Sequence, residues 1–327
     1  MRSKKALICG VTGQDGAYLA RQLIEKGYEV VGSSRDAQVA NLFALEQLQV
    51  KSRVEVISVA INDFRSVIQA LKNLEPDEVY NLAGQTSVGL SFDQPVEAME
   101  SIGGGTLNIL EAIRILDQPI KFYNACSSEC FGDTGKYPAD ETTPFRPQSP
   151  YAVAKASAFW LVDNYRKAYG IFACSGILFN HESPLRPLRF VTRKVVRSAC
   201  LIARGSAENL KIGNLDVSRD WGWAPEYVVA MWKMLQQLEA EDFVVATGNS
   251  STLNDFVDAV FSELGLNWRE HVEIDSSLMR PVDIAYSCGN ATKASEKLCW
   301  KAEYTMKDIA RAMVEQEMRH LDMEGVA

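Results

Sequence analysis

Strand-length apolar runs alternate with helical patterns through the first half of the chain, and this order limits the possible folds more than any other feature. Strands that alternate with helices pair in parallel, because each helix returns the chain to the starting edge of the sheet. We therefore predict an α/β fold with a doubly wound parallel sheet. Its strands are expected at residues 6–9, 29–33, 54–59, 78–82 and 120–125, with helices at residues 15–26, 66–73 and 106–116.

The second half of the chain is less regular and richer in proline and tryptophan. We expect a smaller C-terminal α/β lobe there. The predicted division assigns residues 1–170 to the sheet domain and residues 171–327 mainly to the lobe. Because no clean linker separates the halves, the chain is expected to cross between them and to return in part to the sheet. Further helices are predicted at residues 151–168, 191–204, 225–238, 253–264 and 306–319.

The composition is that of a globular protein and excludes several function classes. The 327 residues are 47% hydrophobic and 23% charged, with a formal net charge of −8. An acidic balance argues against general binding of nucleic acid or anionic membranes, since both need a basic surface. No apolar run reaches the roughly 18 residues of a membrane span, and no signal segment is recognisable, so we expect a cytoplasmic protein. Seven cysteines without a Cys-x-x-Cys pair predict reduced, buried thiols and no metal site.

Three glycines directly after the first predicted strand carry a nucleotide-binding signal. Gly10, Gly13 and Gly16 follow the apolar run and open the first helix. The first glycine permits a tight turn, the second lets the backbone approach a pyrophosphate, and the third lets the helix pack closely on the strand. The helix N-terminus then faces the phosphates, which its free N–H groups attract. The first half is therefore predicted to be a Rossmann domain that binds a nicotinamide dinucleotide.

The end of the second predicted strand leaves the choice of dinucleotide open. An acidic residue there selects a free ribose 2′-hydroxyl, whereas an arginine accommodates a 2′-phosphate. If Ser34 holds the selecting position, Arg35 is free to pair with the phosphate, and the cofactor is NADP. If Asp36 turns towards the ribose, NAD is possible. We favour NADP.

A tyrosine and a lysine four residues apart suggest proton-transfer chemistry. On a helix, Tyr151 and Lys155 share one face, so that the lysine can lower the pKa of the phenol and hold the nicotinamide ribose. The activated phenol exchanges a proton with a sugar hydroxyl while the cofactor takes a hydride. Ser127 follows a predicted parallel strand, where ligands of such sheets bind, and can hydrogen-bond the same hydroxyl.

Glu129 distinguishes between the possible reactions. A 4-reductase or 4-epimerase needs the tyrosine, the lysine and a hydroxyl, but no carboxylate at this position. A dehydratase must also remove a C–H proton beside a ketone and expel water, which requires an added base and acid. Glu129 therefore favours a dehydratase over an epimerase or reductase.

With these residues the sequence resembles the extended short-chain dehydrogenase/reductases, and more closely the GDP-mannose 4,6-dehydratase family. The resemblance extends from about residue 5 to about residue 319. Its most specific segment is residues 180–186 (NHESPLR), and residues 10–19 (GVTGQDGAYL) and 149–155 (SPYAVAK) also carry it. The resemblance implies a homodimer or homotetramer, with GDP-mannose or a related GDP-sugar as substrate.

The resemblance implies a reaction in three steps. Tyr151 deprotonates the C4 hydroxyl while NADP takes the C4 hydride. Glu129 removes the C5 proton, and water leaves from C6. The hydride then returns to C6, which gives a 4-keto-6-deoxy sugar and regenerates the cofactor.

The resemblance also implies which side chains bind the ligands. The catalytic set is Ser127, Glu129, Tyr151 and Lys155. The substrate is expected at Asn180, Lys194, Arg219 and Arg280. The cofactor is expected at Gly10, Thr12, Gly13, Gln14, Asp15, Gly16, Arg35, Leu82, Ala83, Tyr151, Lys155, His181 and Arg186.

The chain departs from the family pattern around the cofactor. The family tends to have two adjacent arginines at positions 35 and 36, an aspartate at Ala60, an alanine at Gly84 and a glycine at Pro187. Ser127 stands where the family usually has a threonine, which keeps the hydroxyl, so the catalytic set is intact. These departures keep two alternatives open: an enzyme for another GDP-hexose or GDP-heptose, and a non-catalytic nucleotide-sugar-binding protein.

Overall fold

The computed structural model describes residues 2–135 and 137–325, and its centre is a parallel sheet of seven strands. Across the sheet the strands follow the order β10-β6-β5-β4-β1-β2-β3, and every neighbouring pair is parallel. The predicted α/β fold is therefore confirmed. The strands are β1 (Lys5–Cys9), β2 (Glu29–Ser34), β3 (Glu55–Ser58), β4 (Glu78–Asn81), β5 (Lys121–Ser127), β6 (Ala173–Leu178) and β10 (Phe243–Val245).

Helices cover both faces of this sheet, as apolar residues on both sides of each strand require. The predicted helices all form; most ends differ by three residues or fewer, and the last helix, predicted to end at residue 319, continues to Glu324. The helices are α1 (Gln14–Glu25), α2 (Phe43–Gln47), α3 (Phe64–Leu74), α4 (Val88–Asp93), α5 (Pro95–Ala98), α6 (Gly105–Leu116), α7 (Pro150–Tyr169), α8 (Val191–Ala203), α9 (Ala224–Leu235), α10 (Leu253–Glu263), α11 (Thr292–Leu298) and α12 (Met306–Glu324). A π-helix at Met99–Gly104 joins α5 to α6.

Alternate residues of β1 show how the layers are assembled. Ala6 and Ile8 pack with α1, α9 and α11 on one face, whereas Leu7 and Cys9 pack with α3, α6 and α7 on the other. The order of strands reverses between β1 and β4, which opens a crevice at the carboxyl ends of the strands. The candidate site lies at this edge.

The second half of the chain contributes to the sheet and also builds a smaller lobe. β6 and β10 belong to the sheet although both follow residue 170. The lobe has its own apolar core between α8, α10 and α12. The division into residues 1–170 and 171–327 stays a prediction. The lobe holds two small sheets, β11-β9-β7 (Ser250–Thr252, Ser218–Trp223, Asn180–Glu182) and β12-β8 (Val272–Ile274, Leu210–Ile212).

Among the described residues, no helix is both long and apolar enough to cross a membrane.

The turn between β1 and α1 depends on glycine at two positions. Gly10 has a φ of +85°, a conformation that other residues rarely adopt. A Cβ atom on Gly16 would lie 2.4 Å from the carbonyl oxygen of Gly10 and 2.6 Å from the Cα atom of Val11. Helix α1 can therefore approach the strand only because residue 16 has no side chain.

We expect Gly16→Ala to lower the free energy of unfolding by about 1–3 kcal/mol, because the added methyl group meets backbone atoms that cannot turn away. Urea unfolding followed by circular dichroism measures this change. Gly104→Ala is the matched control. A Cβ atom there would lie 3.9 Å from the Met99 carbonyl oxygen, in helical backbone, so this variant should be as stable as the parent or up to about 1 kcal/mol more stable. Equal stability of the two variants would contradict the close approach of α1.

Candidate active site

The catalytic candidates come together where β5 ends and α7 begins. β5 ends at Ser127, whose hydroxyl accepts a hydrogen bond from the backbone N–H of Glu129 at 3.3 Å. Ser149 caps α7 by accepting the N–H of Ala152 at 3.1 Å. This cap sets the first turn of α7, which carries Tyr151. Ser127, Glu129, Tyr151 and Lys155 all line one cavity, here called the substrate cavity.

Burial controls the ionisation of Tyr151 and Lys155. It raises the pKa of the Tyr151 phenol, while a hydrogen bond with Ser127 acts in the opposite direction. Burial lowers the pKa of the Lys155 amine. The Nζ atom of Lys155 donates to the carbonyl oxygen of Ala125 at 2.6 Å and lies 5.8 Å from the centroid of the Tyr151 ring. The sequence predicts that Lys155 lowers the pKa of the Tyr151 phenol. In the protein without ligands, desolvation has the larger effect and raises this pKa.

Burial and two arginines shift the pKa of the Glu129 carboxyl group in opposite directions. Burial raises its pKa, and the positive charges of Arg219 and Arg280 partly offset this shift. The charge of Asp283 adds to the rise. A carboxyl group with a raised pKa takes up a proton more readily than an exposed one, which suits a group that must accept a proton and later release it.

The predicted substrate side chains line the same cavity at its far end. Arg219 donates to Asp283 at 2.8 Å and to the carbonyl oxygen of Ile284 at 2.7 Å, and Arg280 reaches Asp283 at 3.4 Å. Lys194 donates to the carbonyl oxygen of Lys211 at 2.7 Å. Asn180 also lines this cavity. The sequence analysis missed Asp283, which fixes both arginines; a single acidic residue three positions after Arg280 has no pattern that marks it.

A second cavity, here called the cofactor cavity, adjoins the first and starts at the glycine-rich turn. Gly13 caps α1, and among the described residues a Cβ atom on it would have only the Gly10 carbonyl oxygen within 4 Å, at 3.4 Å. This bare backbone at a helix N-terminus fits a pyrophosphate. The predicted cofactor residues that line it are Gly10, Thr12, Gly13, Gln14, Asp15, Gly16, Arg35, Leu82, Ala83 and Arg186.

The rim of the cofactor cavity shows how the departures from the family pattern are arranged. Ser34 ends β2 and lines the cavity beside Arg35, whose guanidinium pairs with Glu97 at 3.1 Å. Asp36 instead accepts the backbone N–H of Gln38 at 2.9 Å. Ser34 and Asp36 are thus placed as we expect for NADP, whereas Arg35 is paired with a carboxylate that a 2′-phosphate would have to replace.

The backbone conformation at position 84 explains why this residue is a glycine. Gly84 has a φ of +126°, which an alanine rarely adopts. The loop after β4 therefore follows a path here that the family's usual alanine would strain.

His181 lies in the substrate cavity and connects the two halves of the chain. Its Nε2 atom is 2.8 Å from Asp15 Oδ2, and its Nδ1 atom is 2.7 Å from the carbonyl oxygen of Phe179. Since both neighbours are acceptors, both ring nitrogens carry hydrogen, and the ring is an imidazolium. The Asp15 charge raises the pKa of His181 against the effect of burial, and the His181 charge lowers that of Asp15. The ring also stacks on Tyr227, 4.5 Å away.

Some of the residues that line both cavities, such as Asp15, Leu82 and Arg186, were predicted from the sequence as cofactor residues. Arg186 lines both cavities and lies 3.3 Å from Glu182. Thr86 and Arg189 also line both, and neither was predicted. Because they are 103 positions apart, no local pattern relates them.

The parallel sheet, the glycine-rich turn and the buried serine, tyrosine and lysine at one edge define an extended short-chain dehydrogenase/reductase. The family model described as GDP-mannose 4,6 dehydratase matches residues 7–313, and the chain belongs to this family. The resemblance found in the sequence is thereby confirmed.

Individual relatives agree with this assignment. GDP-mannose 4,6 dehydratase 1 of Arabidopsis thaliana is 44% identical over 333 residues, covering 99% of this chain and 92% of the relative. GDP-mannose 4,6 dehydratase of Homo sapiens is 40% identical, covering 98% of this chain and 91% of the relative. Among solved structures, UDP-glucose 4-epimerase of Thermus thermophilus in complex with NAD has a TM-score of 0.84 and 25% identity, with coverage of 96% of this chain and 98% of that one.

We expect His181→Phe to lower the free energy of unfolding by about 1–3 kcal/mol at about pH 5.5, because Asp15 loses its charged partner. The stabilising effect of His181 is complete below its usual pKa of 6.5 and is lost as the pH rises through the raised value. The stabilising effect of Asp15 is present above its usual pKa of 3.8 and is lost as the pH falls through its lowered pKa. The difference between the two proteins should therefore decrease towards about pH 9, as measured by urea unfolding.

Tyr227→Phe is the control for the aromatic packing, because the buried Tyr227 hydroxyl has no hydrogen-bond partner among the described residues. This variant should keep the parent's stability and its pH dependence. A His181→Phe deficit that stays constant with pH would contradict the imidazolium assignment.

Proposed function

We propose that this protein is a GDP-mannose 4,6-dehydratase that converts GDP-mannose to GDP-4-keto-6-deoxymannose. The observation that carries the proposal is the presence of Glu129 in the same buried cavity as Ser127 and Tyr151. Membership of the family and the printed activities of the relatives support the substrate. A carboxyl group beside the tyrosine is what a dehydratase needs in addition to the groups of a reductase.

Tyr151 and Ser127 act at the first proton transfer in this proposal. Ser127 and Tyr151 line the same cavity, and Ser127 acts to lower the pKa of the phenol, so the two oxygens can face one sugar hydroxyl. Tyr151 first releases its own proton to solvent and then, as the phenolate, accepts the proton from the C4 hydroxyl; its raised pKa makes this phenolate a strong base. Lys155, one helical turn away, supplies positive charge near that phenolate.

Glu129 takes the C5 proton and then protonates the hydroxyl that leaves C6 as water. Its raised pKa allows the carboxyl group to keep the proton between these two events. The proton that Tyr151 took from the C4 hydroxyl is returned to C5 when C6 receives its hydride, which completes the product and restores Tyr151. The arginines at the far end of the cavity bind the anionic diphosphate, since guanidinium groups form paired hydrogen bonds with phosphate.

In the cofactor cavity, the bare backbone at Gly13 would hold the pyrophosphate of NADP, and Arg35, beside Ser34, would exchange its Glu97 partner for the 2′-phosphate. NAD is possible as a weaker cofactor. When bound, the nicotinamide ring supplies the hydride acceptor and donor for C4 and C6. Asp15 and Leu82 line both cavities, so a dinucleotide passing them reaches Lys155.

We place the enzyme in the cytoplasm.

We expect Glu129→Gln to lower the rate of dehydration by about 100-fold or more, because glutamine cannot accept the C5 proton. Purified protein is incubated with GDP-mannose and catalytic NADP, and mass spectrometry measures the loss of one water without net reduction of the cofactor. The control Glu111→Gln changes a carboxylate that pairs with Arg114 on α6, and it should keep the parent's rate. If the parent leaves GDP-mannose unchanged with either dinucleotide, the proposed substrate is wrong.

The same helices that support the site also offer a surface for a second copy of the chain. Val96 on α5 is 67% exposed and Trp160 on α7 is 57% exposed, and Met99 and Val153 are exposed beside them. α7 packs against α5 and the π-helix, so these apolar side chains lie on neighbouring elements. Exposed apolar patches mark interfaces, and a two-fold dimer is the commonest arrangement. We therefore propose a homodimer, or a homotetramer built from such dimers.

We expect the double variant V96E/W160E to halve the mass of the particle in solution, since two buried charges per subunit would oppose this interface. Sedimentation velocity measures the mass. Leu238→Glu is the control: Leu238 is 99% exposed and follows α9, which packs on the other face of the sheet. A monomeric parent, or equal masses for parent and double variant, would rule out this interface.

A further inference from the structure

Six residues line both the cofactor cavity and the substrate cavity and thus form the partition between them. Thr86 comes from the loop after β4, and Arg189 comes from the segment that leads into α8. The Nη2 atom of Arg189 donates to the Thr86 hydroxyl at 2.9 Å. This bond joins opposite walls of the partition. The shared residues are Asp15, Leu82, Thr86, Arg186, Arg189 and Phe190.

The two arginines of the partition are held differently. Arg186 lies 3.3 Å from the buried carboxylate of Glu182, which also accepts the Thr192 hydroxyl. Arg189 is exposed, and its hydrogen bond is to a neutral hydroxyl. Both guanidinium groups lie against the Phe190 ring, at 3.8 Å and 5.1 Å from its centroid. Arg186 is therefore fixed by an opposite charge, whereas the bond that holds Arg189 across the partition, among the described residues, has an uncharged acceptor.

A dinucleotide that extends from the glycine-rich turn to Tyr151 and Lys155 must cross this partition, because the turn lines one cavity and the catalytic pair lines the other. We propose that Arg189 and Thr86 form a latch that closes over the bound dinucleotide and slows its release. The inference rests on the proposed function, in which the cofactor is regenerated within each turnover and has no need to leave. An enzyme of that kind gains from holding its cofactor between turnovers.

The test measures the release of NADPH from the whole protein. Protein saturated with NADPH is mixed with excess NADP in a stopped-flow instrument, and the loss of NADPH fluorescence gives the dissociation rate. We expect Arg189→Met and Thr86→Val each to raise this rate about tenfold, since each removes the hydrogen bond between the walls. The double variant should release NADPH no faster than either single variant, because both changes break one bond.

Two comparisons separate the latch from simpler explanations. Thr86→Val keeps every charge, so a faster release in Arg189→Met alone would show that Arg189 acts only as a cation and would overturn the latch. Leu188→Ala is the matched control, because Leu188 is 55% exposed on the same segment and lines neither cavity. Its dissociation rate should equal the parent's.

The remaining outcomes distinguish the latch from the proposed function. If the parent binds NADPH and dehydrates GDP-mannose, but all variants release NADPH at the parent's rate, only the latch is wrong. If the parent binds no dinucleotide, the proposed function fails, and the latch fails with it.

Discussion

Desolvation at the carboxyl edge of the parallel sheet governs the chemistry of the whole site. The strands that end there bury a phenol, an amine and a carboxyl group in one cavity, and burial favours the uncharged form of each. Tyr151 and Glu129 therefore hold their protons more tightly than exposed groups, and Lys155 holds its proton less tightly. Each shift is opposed by specific neighbours, such as Ser127 for the phenol. The site is thus built so that a few contacts determine where the protons lie.

The sequence was informative wherever function depends on local order. The apolar periodicity and the glycine turn predicted α1 and the sheet, and the four-residue spacing of Tyr151 and Lys155 predicted their common cavity. The sequence was uninformative where interacting residues are far apart in the chain and where strands or helices are short. The three-residue strand Asn180–Glu182 pairs with Ser218–Trp223, and neither shows a strand pattern of its own. The desolvation of Tyr151 could not be predicted from the sequence either, because its burial depends on the tertiary packing of α7.

The two halves of the chain are joined through the glycine-rich turn. Gln14 donates to the carbonyl oxygen of His181 at 3.2 Å and accepts the Ser183 hydroxyl at 2.7 Å, and Asp15 pairs with the His181 ring. These groups are buried or largely buried. Hydrogen bonds in the protein interior are strong and costly to break. The turn and β7 should therefore move together. The segment around Arg189, which follows β7, is exposed and is joined to the loop after β4 by the Arg189–Thr86 hydrogen bond.

Charge at the far end of the substrate cavity connects substrate binding to Glu129. Arg219 and Arg280 share one carboxylate, Asp283, so the cluster has an excess of positive charge that lowers the pKa of Glu129. In the proposed binding mode, an anionic diphosphate pairs with both arginines and neutralises this excess. Their pull on Glu129 then weakens. Substrate binding and the ionisation of Glu129 are therefore coupled through the same two arginines, so that the group that removes the proton responds to the anion bound beside it.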